Sequence, residues 1–262
     1  MRLAHALHPG ALFAALFVLA GCATTPTPSP SAWPWSPARQ MLVVTSAGFD
    51  ATRGQLRRFE RARDGDWRQV GAMQPVMLGR AGIGWGLGLH PAQAQGPQKR
   101  EGDGRNPAGV FAIGPAFGYA PSAPGALPYR PMQATHWCMD VPASPLYNRI
   151  VDSRDVGAAA VQGSTEPMRL DLHNNGDDRY KLGFVIEHNA GNVPGMGSCI
   201  FAHLWGNPDK TTAGCTAMPE TGMRALLGWL QPAARPVFVQ LTDADYDRLQ
   251  AGWRLPSRAA FR

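Results

Sequence analysis

The stretch SCIFAHLWGNPDKTTAGCTAMPETGMRALLGWL, residues 198–230, sets out a strand, a turn and a helix in one run. Residues 199–205 read as a short strand that carries His203. A loop leads from it to the turn Thr212-Ala213-Gly214-Cys215. Pro219 and Glu220 then open a helix in which Met223, Leu226, Leu227 and Leu230 recur at helical spacing. A cysteine on a glycine turn, with a histidine upstream, is a common way to supply a thiol nucleophile and its base. Gly214 permits a tight turn that leaves the sulfur accessible. Cys215 is therefore the candidate nucleophile and His203 its proton donor and acceptor, with Thr212 ordering the turn and the amides of Gly214 and Cys215 placed for an oxyanion. A neighbouring imidazole and the start of the following helix predict a stabilised thiolate at Cys215.

Working outward, residues 41–46 (MLVVTS) and 54–61 (GQLRRFER) read as strands of a partly exposed hairpin. Further short strands are predicted at 76–78, 109–113, 137–141, 183–188 and 236–241. The 30 glycines and 24 prolines lie densely between them, which argues for short strands joined by irregular loops. A capping-box-like Thr242-Asp243-Ala244-Asp245 introduces a second helix over 246–253. The expectation is one mainly β domain over residues 41–262 with about two helices near its C-terminus, and no internal repeat.

The N-terminal end has a different character. Arg2 and the apolar run 10–20 have the form of a signal peptide, too short to span a bilayer comfortably. Leu19-Ala20-Gly21-Cys22 reads as a lipoprotein processing site, so residues 1–21 are expected to be removed and Cys22 to carry the lipid. Residues 22–40, rich in Pro, Ser and Thr, read as a spacer that includes Trp33 and Trp35. Ala23 gives no acidic retention signal, so the expected location is the periplasmic face of an outer membrane, with a membrane contact through the lipid alone.

A net charge of +6 from scattered basic residues, with no basic helix or basic–aromatic module, argues against nucleic acid. Of the four cysteines, Cys22 is assigned to lipid. An oxidising compartment favours one disulfide among the other three, and Cys138 with Cys199 leaves Cys215 free. The alternative is that Cys138 and Cys199 are simply buried thiols.

Two segments resemble the L,D-transpeptidase catalytic domain family, enzymes that cross-link peptidoglycan with a cysteine nucleophile. One is KREGDGRNPAG (99–109), similar to that family's basic, Gly-Asp-Gly and Pro-x-Gly stretch. The other is SCIFAHLW (198–205) followed by TAGC (212–215), similar to its histidine-bearing strand and Ser/Thr-x-Gly-Cys turn. Leu204 after the histidine, Thr216 after the cysteine and a short His–Cys gap set the chain apart as a divergent branch. The resemblance implies a β-sandwich of short mixed strands, peptidoglycan stem peptides as substrate, and acyl transfer through Cys215 with no cofactor and no metal. A hydrolytic relative using the same chemistry, and a non-catalytic wall-binding lipoprotein, are the alternatives. Oligomeric state is open.

His188 and Asn189 end the predicted 183–188 strand and are candidate substrate or supporting contacts, as are Trp85 and Trp205. Residues 82–88 (GIGWGLG) lack the ending of a phosphate loop and read as a turn-rich segment placing Trp85 near the cleft. Asp140, Tyr147, Asn148 and Asp152 are expected either to line that cleft or to hold a polar loop together. His173, in DLHNNGDD (171–178), reads as part of a solvated loop, since no metal-ligand spacing is complete.

Overall fold

Residues Gln40–Ser46 and Val237–Thr242 are buried at every position and lie side by side in parallel, Val43 beside Val239. Runs rich in Val, Leu and Thr, covered on both faces, suit the centre of a sheet. The computed structural model describes residues 32–63 and 65–262. The expected signal peptide 1–21, the lipidation site Cys22 and the spacer as far as residue 31 lie outside them.

In chain order the strands are β1 (Gln40–Ser46), β2 (Arg53–Glu60), β3 (Arg68–Gln69), β4 (Gln74–Met77), β5 (Ile83–Trp85), β6 (Asn106–Gly118), β7 (Tyr129–Pro131), β8 (His136–Cys138), β9 (Ile150–Asp152), β10 (Glu166–Pro167), β11 (Leu182–Ile186), β12 (Phe201–Leu204), β13 (Thr216–Met218) and β14 (Val237–Thr242). Eight of them follow one another in hydrogen-bonded order β1-β14-β6-β11-β12-β13-β4-β2, and β2 returns to β1. The ring is therefore a closed mixed barrel, parallel at β1–β14 and β12–β13 and antiparallel elsewhere. The expected mainly β character is present, but the sheet closes on itself instead of forming a sandwich. The reason lies in β1, which pairs with β14 on one side and β2 on the other, so no edge is left there.

Helices α1 (Ser153–Val156) and α2 (Leu170–His173) are single turns; α3 (Glu220–Trp229) occupies the place read from sequence, while α4 (Asp243–Leu249) begins and ends earlier than the expected 246–253. α3 buries Met223, Leu226 and Leu227, and Thr242 caps α4 by accepting from the Asp245 amide. Between β6 and β11 the chain builds a separate three-stranded sheet, ordered β10-β8-β9. The Cys138–Cys199 disulfide ties β8 to the segment entering β12.

The domain also takes in residues assigned above to the spacer. Trp35 is 2% exposed, its indole N–H donates to Trp253 O at 2.9 Å, and Trp33 stacks on it with ring centroids 5.0 Å apart. Two large aromatic rings bring enough apolar surface to hold a Pro-rich segment against the barrel.

Candidate active site

The turn before β13 is held by its own threonine. Thr212 Oγ1 donates to Cys215 O at 2.6 Å and accepts from the Gly214 amide at 3.1 Å. Gly214 has φ +149°, and a Cβ there would come within 2.9 Å of Arg105 O, so glycine is required. The Gly214 amide is thus already bonded, which leaves the Cys215 amide as the turn's donor. Cys215 Sγ accepts from the Phe201 amide at 3.3 Å and donates to Cys199 O at 3.4 Å. It is the only free cysteine among the described residues. Thr216, which follows it, is fully buried and accepts from Asn106 Nδ2 at 2.9 Å while its hydroxyl contacts Gln240 Oε1 at 3.2 Å. A polar network there explains a threonine where an aliphatic residue would leave Asn106 Nδ2 without its partner, Oδ1 being bonded to the Gly79 amide.

Cys215 lies on the wall of a cavity of about 140 Å³ that is also lined by Arg80, Lys99, Glu101, Asp140 and Glu166. Most of these groups are already engaged. Buried Lys99 pairs with Asp103 at 2.6 Å. Glu101 accepts from Ser198 Oγ at 2.6 Å and from the Tyr147 hydroxyl. Asp140 accepts from the Thr165 amide at 3.0 Å. Glu166, on β10, accepts through Oε1 from the Tyr180 hydroxyl at 2.5 Å. Burial pushes the Glu166 carboxyl up to about 7, against the opposing effect of the Tyr180 bond.

The thiol is also raised, to about 12, first by burial and then by the negative charge of Glu166. The stabilised thiolate expected from the helix start is therefore not present. Strand β13 stands between Cys215 and α3, so the sulfur is not at the helix N-terminus.

His203 is buried on β12 opposite Ala217, and its Nδ1 bonds Leu204 O at 2.7 Å. A carbonyl only accepts, so Nδ1 carries the proton and Nε2 of the neutral ring keeps its lone pair. Burial brings the imidazole down to about 4. Strand alternation puts His203 on the face of β12 that carries Phe201. Tyr180 packs edge-on against both rings, at 5.2 Å and 5.5 Å. Cys215 belongs to the same apolar cluster as Phe201 and Tyr180. No hydrogen bond joins His203 to Cys215 among the described residues, and His203 does not line the Cys215 cavity; the link between them is Tyr180, which packs on the imidazole and shares the apolar cluster of the thiol.

The other candidates are held mainly by structural hydrogen bonds, and two of them, His188 and Asn148, also line the larger cavity described below. His188 accepts from the Leu87 amide through Nδ1 at 3.2 Å and bonds Met196 O through Nε2 at 2.9 Å, so both nitrogens serve backbone. Asn189 is buried at φ +52° and uses its amide on Val193 and Gly197. Trp85 is core, 3% exposed between Phe49, His90 and Trp253, so it is not at the cleft. Trp205 follows β12 and lines neither the Cys215 cavity nor the larger one described next. Asn148, at φ +61°, accepts from the Cys199 amide and donates to His188 O and Asn189 O, pinning the loop that precedes β12. Asp152 caps α1 through the Arg154 amide. His173 bonds Ala134 O at 2.8 Å, and no group of three or more His, Cys, Asp or Glu among the described residues is placed to hold a metal.

A second cavity of about 440 Å³ lies over β6, β11 and β12, where Phe117, Val185, Phe201 and the Cys138–Cys199 bridge meet Arg130 and Glu187. It shares Cys199 and Ile200 with the Cys215 cavity. Glu166 and Tyr180 were not singled out from sequence. They are 14 residues apart in a segment without a motif, and only the fold brings them to the thiol. No family model matches the chain. No curated protein matches it either.

Proposed function

We propose that the chain is a cysteine acyltransferase of the L,D-transpeptidase kind, acting on peptidoglycan stem peptides. The observation that carries this reading is a single free thiol on a cavity wall, in one apolar cluster with Tyr180, whose ring also packs on His203, a histidine whose tautomer leaves Nε2 as acceptor. In the reaction, Nε2 of His203 takes the Cys215 proton as the sulfur attacks a stem-peptide carbonyl. The Cys215 amide receives the oxyanion. The carbon–nitrogen bond to the terminal D-alanine breaks, and His203 returns the proton to the leaving amine. An amine of a second stem peptide then attacks the thioester, and the thiol is regenerated. No cofactor takes part.

The neutral resting pair suits this sequence of events, because a buried charge separation is formed only when a substrate is present to receive it. The 440 Å³ cavity is the place for the donor peptide, with Arg130 for its carboxylate. The wider setting belongs to the same proposal: an exported lipoprotein held through Cys22 at the periplasmic face of the outer membrane. No helix among the described residues is long and apolar enough to cross a membrane.

The test is intact mass spectrometry of the protein mixed with purified tetrapeptide muropeptides. A covalent adduct of the donor less alanine, absent from Cys215→Ala and slowed in His203→Ala, is the expected result. A folded wild-type protein that forms neither adduct nor product refutes the reading.

A further inference from the structure

We propose that Glu166 is the acceptor-side base: it takes the ammonium group of the incoming primary amine at the Cys215 cavity and removes its proton. This rests on the acyl-enzyme reading above and addresses what that reading leaves open, namely whether amine or water receives the acyl group.

The geometry is specific to Glu166 among the cavity's carboxylates. Glu101 is taken by Ser198 and Tyr147, and Asp140 by Thr165. Glu166 has one partner among the described residues, the Tyr180 hydroxyl on Oε1, so Oε2 is available to a ligand in the cavity. Tyr180 is itself buried and wedged against Phe201 and His203, which fixes the carboxylate relative to the wall that holds the thiol. The charged groups around Glu166 favour a cation. Glu101 and Asp140 line the cavity with it, Lys99 is neutralised by Asp103, Arg179 by Asp177, and Arg80 is the remaining basic group of the lining. A primary ammonium gains from this acidic excess, whereas a neutral water does not.

The proton count closes. The ammonium R–NH3⁺ gives one proton to the Glu166 carboxylate, and the freed lone pair attacks the thioester carbon. A carbon–nitrogen bond forms, the carbon–sulfur bond breaks with its electron pair on Cys215, and the second proton of the nitrogen passes through His203 to the sulfur. The amide keeps the third, and Glu166 loses its proton to solvent. A carboxyl titrating near 7 is suited to both halves of this exchange at neutral pH.

The experiment incubates the full chain with tetrapeptide muropeptides, which serve as donor and acceptor, and reads cross-linked dimer against hydrolysed tripeptide by mass. In Glu166→Gln the dimer-to-tripeptide ratio is expected to fall at least tenfold while the Cys215 adduct still forms. Glu166→Asp restores part of the ratio, and the wild-type ratio declines from pH 8 to pH 6 in a way that Glu166→Gln lacks. An unchanged ratio, a parallel loss of transfer and hydrolysis, or an Asp variant as defective as Gln overturns the proposal. A wild type that forms no adduct overturns the acyl-enzyme reading instead. Should Glu166→Gln not fold, Tyr180→Phe, which frees Oε1, must lower the ratio or the proposal fails.

Discussion

Cys215 is expected to be a slow thiol until substrate arrives. Its pKa rises from an ordinary 9.0 to about 12. At pH 8 an ordinary thiol is about one tenth thiolate, and one with a pKa of 12 about one part in ten thousand, a thousandfold difference. Higher basicity makes each thiolate a better nucleophile, with a Brønsted slope of about 0.4–0.5, which recovers about 15- to 30-fold over three units. Alkylation by iodoacetamide should therefore run about 30- to 60-fold slower than in a free peptide of residues 211–219, before any further slowing from burial. The assay follows the rate from pH 6 to 10.5, with peptide mapping to isolate Cys215 from every other cysteine. The rate should climb tenfold per pH unit with no plateau below pH 10.5. A plateau below pH 8, or a rate at pH 7 matching the peptide, would mean that His203 already holds the proton at rest, and the argument from burial would be wrong.

Three further outcomes follow from other parts of the molecule. Glu166 ionises near 4.5 when unfolded and near 7 when folded, so it favours the native state below pH 4.5 and that contribution is lost as pH rises to 7. Urea titrations of Glu166→Gln should therefore match wild type near pH 4 and exceed it by up to about 3 kcal/mol at pH 8, and parallel curves would contradict this. Opening the Cys138–Cys199 bridge, which spans 61 positions, should cost about 4 kcal/mol by loop entropy, read as a fall in denaturation midpoint for the double alanine variant. Trp35→Ala should cost about 3–5 kcal/mol by the same measurement, whereas a residue in a free spacer would cost nothing.

Much of the secondary structure was legible because its causes are local. The β-branched run 41–46, the helical spacing of Met223, Leu226 and Leu227, and the Thr242 cap each declare themselves within a few residues, and they appear as β1, α3 and α4. The turn at Gly214 was legible for the same reason, since Thr212 and Cys215 bond within four residues. Odd-cysteine counting separated Cys215 from the pair that the structure joins.

What tertiary structure decided depends on partners remote in the chain. Barrel closure needs β1 beside both β2 and β14, and no local pattern says which strand takes the second edge. Trp35 and Trp85 looked like spacer and cleft residues because aromatics beside prolines and glycines have no local sign of burial, yet both pack against Trp253. His188 and His203 have similar strand settings, and only their contacts tell them apart: both nitrogens of His188 serve backbone, whereas His203 uses Nδ1 alone, on Leu204 O. The sign of the Cys215 shift is not legible from its place before a helix, because the depth of the thiol and the charge of Glu166, 49 positions upstream, outweigh anything the adjoining residues supply. Sequence alone determined the local elements and set out Cys215 and His203 as candidates; burial and long-range pairing determined the protonation states in which the two rest.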